Sequence, residues 1–582
     1  MILLLGLPLL TALCAFVFNH LWRNVVVILC VIVVTFLSID IYLNADIVAL
    51  SFSTLMHQFF RILDVLVLLF FLVEGVRHLH MPTMILAIIQ LILYSFVLLM
   101  PSNHGIDIIM DDLSAVMFLI INIVGGLITL FALEYIKREK CSPKRKGYFI
   151  ALLLFFIAVM NLLVVCNSLE LLFLCFELTT LCSYLLIQFR QDSVSKANAL
   201  RALWMNQVGG IAILFSLLSA LYYYETHFFN ELFVQVEPSM LLPIALLVCA
   251  AYVKAASLPF HSWLLGAMVA PTPVSALLHS ATMVKIAPFF ILKLSVVFTY
   301  EISMSVALFG AFVFFAASVL ALSKTVFKEI LGLSTIALLA LMMSLASLDS
   351  EEAKEAALWL MLFHSIAKAL LFLQAGVLEK INGIKDINEF DEMATKTPMV
   401  LFYMVLGFAS LTLPPFAAFL GKFMAIESLA ALMFEHMSYL VVLLFILLGS
   451  VVLTLLYFKL MSKAFLQKAF THNESKKIPL LFTLPSLLLA LMLFASMFLV
   501  LKLQFLSQIQ MWLPLSLLLL VPLLLLVMKF KKATYVGEYN CAERESFVVG
   551  CYSFEISNNI TQLLSAIAIG LILITLVFGV FA

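Results

Sequence analysis

Long apolar runs separated by short polar loops dominate the chain. Eighteen apolar segments fall near 2–18, 25–43, 58–75, 82–100, 110–135, 147–166, 168–189, 204–224, 241–268, 274–299, 302–322, 329–348, 356–378, 397–429, 437–465, 479–502, 510–529 and 557–581. Most are close to the roughly 20 residues a helix needs to cross a bilayer. The pattern predicts an all-α polytopic membrane protein. Two segments are too long for one straight helix and contain prolines: Pro259 in 241–268, and Pro414 with Pro415 in 397–429. A proline in mid-helix removes a backbone hydrogen bond and clashes with the preceding turn. In hydrocarbon the freed groups must be satisfied by protein or by a water-lined cavity, so two broken helices in one chain point to an ion path.

Composition agrees. Of 582 residues, 65% are apolar and 11% are charged, where a soluble chain runs nearer half and a quarter. A soluble enzyme, a nucleic-acid binder and a disordered tail are excluded. The 33 basic and 33 acidic residues balance, so their placement carries the information. Basic loops at 137–146, 190–203, 323–328, 466–477 and 529–532 alternate with acidic or neutral ones such as 225–240 and 349–355. The positive-inside rule makes the basic set cytoplasmic and both termini external. The opening MILLLGLPLL lacks a positive n-region and reads as a first span, not a cleaved signal. The nine cysteines form no C-x-x-C and no metal spacing with histidine, so no metal or redox centre is expected in this chain.

The informative residues are ionisable groups inside the spans. Glu177, Lys254, Lys285, Lys368 and Lys422 all lie in apolar surroundings, with His364 one turn before Lys368 on the same face. Lys254 precedes Pro259, Lys285 precedes Pro288, and Lys422 follows Pro414–Pro415, so three of the lysines stand beside helix breaks. Each ion at a helix centre costs roughly 2.5–3.5 kcal/mol, and five cost on the order of 12–17 kcal/mol. Water, pairing or proton release must offset that. Lys293, Lys459, Lys463 and Lys502 sit near span ends, where snorkelling explains them. Glu170 reads as a boundary residue and His279 as a hydrogen-bonded packing histidine. A structural salt bridge between Glu177 and Lys254 is the bland alternative for that pair.

The run KAASLPFHSWLLGAMVAPTPVSALLHSATMVKIAPFFILK, from Lys254 to Lys293, resembles the signature segment of the antiporter-like subunits. These are the large pump subunits of respiratory complex I, Mrp cation/proton antiporters and energy-converting membrane-bound [NiFe] hydrogenases. Supporting matches begin at Asp111 (DDLSAVMFL), Phe176 (FELTTLCSYLLI), Phe327 (FKEILGLSTIALLALM), Phe363 (FHSIAKALLFLQAGVLEK) and Leu413 (LPPFAAFLGKF). The resemblance implies a fourteen-helix core with two inverted five-helix repeats, each holding a broken helix, plus extra N- and C-terminal spans, 16–18 in all. It divides the chain into early helices (1–107), an antiporter-like core (108–465) and C-terminal helices without a long lateral arm (466–582). It implies that Glu177 pairs with Lys254, that Lys285 is the central proton carrier, and that His364, Lys368 and Lys422 relay onward. His261, His279 and Thr282 support them, and Pro259, Pro288, Pro414 and Pro415 mark the breaks.

The function implied is proton translocation within a redox-driven complex I-like or hydrogenase complex, with no catalytic centre in this chain. Fe–S clusters, with Ni–Fe or flavin, would reside in partner subunits. The partners implied are other membrane subunits, a peripheral redox arm, the lipid bilayer and H⁺ or Na⁺, with no nucleic acid. The location implied is a bacterial or archaeal cytoplasmic membrane. Lys285 in T-M-V-K and the tail Y-V-G-E look more like the hydrogenase and Mrp branches than the distal complex I member. The alternatives are an Mrp-type Na⁺/H⁺ antiporter subunit and the membrane module of a bicarbonate-uptake complex. Four apolar segments precede the Asp111 motif, where two are usual in the family.

Overall fold

The computed structural model describes residues 1–44, 47–100, 105–237, 240–390, 393, 397–413, 416–465, 478–502 and 556–581. Pro414, Pro415, the segment 510–529 and the basic stretches 466–477 and 529–532 lie outside the described residues. The other seventeen apolar segments are all helical. The N-terminal helices are α1 (Ile2–Val17), α2 (His20–Leu43), α3 (Thr54–Arg77) and α4 (Met81–Leu99). Next come α5 (Asp112–Lys137), α6 (Pro143–Leu163), α7 (Leu169–Ile187), α8 (Ser193–Tyr224) and the short α9 (Phe229–Gln235). The first broken span is α10 (Leu242–Lys254) with α11 (His261–Gly266), followed by α12 (Thr272–Val297), α13 (Tyr300–Ser323), α14 (Phe327–Ala346) and α15 (Glu351–Val377). The second is α16 (Pro398–Thr412) with α17 (Ala417–Glu435), and α18 (Tyr439–Phe465), α19 (Leu480–Lys502) and α20 (Asn558–Phe581) close the chain. Among the described residues, fourteen helices are long and apolar enough to cross a membrane.

Polar residues just before the apolar runs set several helix starts. Asp111 accepts from the Ser114 N–H at 2.8 Å, and Asp192 from the Ser195 N–H at 2.6 Å. Ser142 caps α6 with Pro143 at its first position, where a missing N–H costs nothing. Inside the bilayer, Asn122 and Asn161 exchange amide hydrogen bonds at 2.9 and 3.1 Å, so neither side chain is left unsatisfied. Helices α13 and α14 approach so closely that a Cβ on Gly310 would lie 2.5 Å from the Ala340 carbonyl oxygen.

The two ends of the bundle differ. At one end the loops 137–146, 190–203, 323–328 and 378–385 meet in a charged lattice: Arg190–Glu139 and Lys380–Glu139 at 3.0 Å, and Lys328–Glu379 at 2.6 Å. This is the end the basic loops assign to the cytoplasm. At the other, Val48–Leu50 pairs antiparallel with Ile108–Met110 (Ala49 opposite Ile109), Ile108 bridges Cys166, and Ser168 bridges Phe228. These short pairings satisfy the backbone of loops that join helices at that end of the bundle.

The break between α10 and α11 is built from the P-F-H-S-W stretch. The helix stops at Lys254, Ala256 takes a positive φ of 52°, and the Trp263 indole N–H donates to the Val253 carbonyl at 3.0 Å. The Val253 carbonyl thus accepts from the indole as well as from the Ala256 N–H at 3.0 Å. In α12 the helix widens to a π-turn at Leu277–Ala281 and tightens to a 3₁₀ turn at Met283–Lys285 before Ile286–Leu294 resumes the α-helix. Pro288 lies in the first turn of the resumed helix, so the irregularity falls one turn ahead of it, where its ring would clash. The Leu277 carbonyl accepts from both the Thr282 hydroxyl at 2.8 Å and the Thr282 N–H at 3.2 Å.

Candidate functional site: a buried row of titratable side chains

Glu177, Lys254, Lys285, His364, Lys368 and Lys422 all lie inside the protein, and His261 is half-buried. Lys254, Lys285 and Lys368 are 0% exposed and Lys422 is 7% exposed. None of the four ammonium groups contacts a carboxylate among the described residues; each is held by neutral groups. Lys254, the last residue of α10, donates to the Phe176 carbonyl and the Thr180 hydroxyl, both at 3.1 Å, and stands 3.7 Å from the Phe176 ring centroid. Lys368 reaches from α15 to α14, donating to Ser334 Oγ at 2.5 Å and the Leu331 carbonyl at 3.1 Å. Lys422, on α17, donates at 2.7 Å to the Leu411 carbonyl at the end of α16. It therefore bridges the two halves of the second broken span.

Lys285 touches another member of the row directly: its Nζ lies 2.7 Å from Nδ1 of His364, with Met342 Sδ at 3.8 Å. Among the described residues, His364 Nε2 has no partner, and neither nitrogen of His279 does. His279 stacks on Phe372 with centroids 4.9 Å apart, so the hydrogen-bonded packing role expected for it is not what the structure has. His261 follows the first break, with Nδ1 unpartnered, as is Ser257 Oγ within the break.

The expected Glu177–Lys254 relationship takes the form of a charge interaction without a direct ion pair. Glu177 Oε1 instead accepts from the Gln90 amide of α4 at 2.7 Å, while Oε2 is unpartnered. Lys254 is one residue and one turn away from Glu177 on α7, at the Phe176 carbonyl and Thr180. The row thus falls into two groups. Glu177 and Lys254 form one; Lys285, His364, Lys368 and Lys422 form the other, within which the charges act on one another.

Sequence reasoning missed several partners. Thr180, Ser334 and Gln90 are uncharged, and nothing in their spacing marks them. Asp64 and Glu74 were legible, because both are acids inside the apolar segment 58–75. At the end of the bundle that carries the basic loops, Arg190, Lys328 and Glu379 line a cavity of ≈ 390 Å³. Beside it Glu139 bridges Arg190 and Lys380. Burial raises the Glu139 carboxyl, but the hydrogen bonds from Lys380 and Arg190 outweigh it and hold the group below the usual carboxylate range. Among the described residues, no three His, Cys, Asp or Glu side chains are arranged to hold a metal ion.

Residues 166–452 match the family described as NADH:quinone oxidoreductase/Mrp antiporter, TM, and residues 101–145 match NADH-Ubiquinone oxidoreductase (complex I), chain 5 N-terminus. The matched regions contain the whole row. The chain belongs to the antiporter-like subunit family shared by complex I and the Mrp antiporters. It is a multi-pass membrane protein. Among relatives of this antiporter-like subunit, the putative antiporter subunit mnhA2 of Staphylococcus haemolyticus is 29% identical over 418 residues, covering 67% of this chain and 52% of the relative. NADH-quinone oxidoreductase subunit L of Buchnera aphidicola subsp. Schizaphis graminum is 32% identical over 332 residues, covering 55% of this chain and 52% of the relative. The chain spans about half the length of these curated relatives. The fold is similar to a chain of the membrane-bound sulfane sulfur reductase, an archaeal respiratory membrane complex, with a TM-score of 0.69 at 18% identity over 85% of this chain and 93% of that one. It is also similar to a chain of the Mrp complex from Dietzia sp. DQ12-45-1b, with a TM-score of 0.64 at 19% identity over 99% of this chain and 55% of that one.

Proposed function

We propose that this antiporter-like subunit translocates protons along the row formed by Glu177, Lys254, Lys285, His364, Lys368 and Lys422. The observation that carries the reading is the 2.7 Å contact between Lys285 Nζ and His364 Nδ1. In that geometry one nitrogen donates and the other must accept, so the two bases share one proton. Adding a second proton sets two like charges in contact in a low-dielectric interior, and the pair passes one on. Lys368, one turn beyond His364, is the next base, and Lys422 the one after. Unpartnered buried polar atoms at Glu177, Ser257, His261, His279 and His364 are groups that internal water satisfies. Water at these positions would carry protons where side chains do not touch.

The ligand chemistry favours H⁺ over Na⁺. Hard cations are held by clusters of oxygen ligands, whereas the row from Lys254 to Lys422 offers amine and imidazole nitrogens. The second reading, Na⁺/H⁺ exchange within an Mrp-type assembly, draws on the similarity to antiporter subunits such as mnhA2. The proposed assembly is a multi-subunit membrane complex of the complex I, hydrogenase or Mrp type. In the first two, Fe–S clusters and Ni–Fe or flavin centres would belong to partner subunits. The test is proton translocation into membrane vesicles containing the native complex. Lys285→Ala and Lys368→Ala each lower the rate at least tenfold with normal assembly; full-rate translocation in both sinks the reading.

A further inference from the structure

Helices α3 and α4 lie outside both matched family regions, yet they cover the Glu177 end of the row, α3 packing on α7 and α4 on α8. Helix α3 carries Arg61, Asp64 and Glu74, each costly at bilayer depth unless it has a task or a partner. Near the non-cytoplasmic end, His57 Nε2 lies 3.2 Å from Asp107, and Arg61 donates to both Glu170 oxygens at 2.9 and 3.3 Å. These four residues and Asp64 line one small cleft of ≈ 10 Å³, close to the smallest space that holds a water. Asp64 is 2% exposed; its Oδ2 accepts from the Tyr94 hydroxyl at 2.9 Å, and its Oδ1 has no partner. One turn along α4 from Tyr94, Gln90 holds Glu177. The charges that act on Asp64 are Arg61 on its own helix and Glu170 and Glu177 on α7; Tyr94 on α4 bonds to it, and its own charge reaches Cys175 on α7.

We propose that α3 and α4 form a proton branch joining Glu177 to the non-cytoplasmic face, with Asp64 as its buried carrier. The inference rests on the relay reading and adds an access route to it. A proton leaving the Glu177 carboxyl is taken up by the unpartnered Asp64 oxygen through intervening water. It is then released to water in the cleft beside Glu170 and Asp107. Both carboxylates are regenerated, so no co-reactant is consumed, and the steps reverse with the gradient. A purely structural Asp64 would need only to accept from Tyr94, and an asparagine oxygen does that equally well.

The isosteric exchange therefore separates the two roles. In vesicles containing the native complex, Asp64→Asn lowers proton translocation at least fivefold and flattens its dependence on non-cytoplasmic pH. Asp64→Glu restores most of the rate, and Tyr94→Phe gives an intermediate loss. Full-rate, pH-responsive translocation in Asp64→Asn overturns the branch. If that variant does not accumulate, Tyr94→Phe decides, and an unaltered rate and pH profile there overturns it equally. Lys285→Arg measured in parallel separates the readings: its loss alongside a normal Asp64→Asn removes the branch only, and its full activity removes the relay itself.

Discussion

Lys285 Nζ and His364 Nδ1 lie 2.7 Å apart in a fully buried site with no carboxylate bonded to either. Two positive charges cannot share that contact, because protonated lysine and protonated histidine both only donate; one of the two nitrogens must supply a lone pair. Every other lysine of the row also bonds to neutral acceptors, so each depends on its neighbours' charge state, not on a permanent counter-ion.

The first prediction separates charge from proton exchange at Lys285. Arginine keeps the positive charge but does not give up its proton in a protein. Lys285→Arg should therefore leave the subunit assembled and lower proton translocation at least tenfold, measured by dye quenching in energised vesicles. A rate near the unaltered protein's would mean that Lys285 supplies charge alone.

The second concerns how Lys254 is held against α7. Among the described residues, the Thr180 hydroxyl is the one side-chain oxygen bonded to the Lys254 ammonium. Thr180→Val keeps the shape and removes that acceptor, a loss of about 1–3 kcal/mol for a buried charged group. Translocation should fall several-fold, and Thr180→Ser should restore it. If valine is tolerated at full rate, the hydroxyl has no part in coupling Lys254 to α7.

Much of the row is legible in the amino-acid sequence. An ion inside a span is too costly to be incidental, and that criterion alone finds Glu177, Lys254, Lys285, Lys368 and Lys422. The same criterion, applied evenly, reaches Asp64 and Glu74, which lie outside the family motifs. What the chain does not reveal is pairing. Gln90 holds Glu177 from 87 residues away, and a neutral amide in an apolar helix looks like any other tolerated polar residue. Motif resemblance supplies the Glu177–Lys254 relationship but not its geometry, because Phe176 and Thr180 intervene through a helical register that spacing alone does not give. The prolines announce where helices yield, yet in α12 the distortion precedes Pro288 by a turn.

The third prediction tests the cytoplasmic lattice. Glu139 is held below the ordinary carboxylate range while bonded to Arg190 and Lys380. A group whose folded pKa is depressed contributes stability above its unfolded pKa of about 4.3, and that contribution is lost as pH falls through the folded value. Thermal stability of the detergent-solubilised protein should drop on acidification below about pH 4. Glu139→Gln should lower it at neutral pH by about 1–2 kcal/mol and weaken the acid dependence. An unchanged acid profile in the variant would assign that dependence to other groups.

The last prediction uses a residue with no titratable chemistry. A Cβ placed on Gly210 would lie 1.7 Å from Glu177 Oε1 and 2.6 Å from Gln90 Nε2. The glycine leaves α8 bare so that the α7 carboxylate and the α4 amide can meet over its backbone. Gly210→Ala must push the carboxylate off Gln90 or force the helices apart, at a cost of about 1–3 kcal/mol for overpacking. Gly6 and Gly570 have nothing within 4 Å of the same atom, so alanine at either is the matched control. If Glu177 works from the position Gln90 gives it, Gly210→Ala should lower proton translocation about tenfold while both controls run at the normal rate. Equal rates in all three would show that the placement of Glu177, and with it the contact to α4, is immaterial to transport.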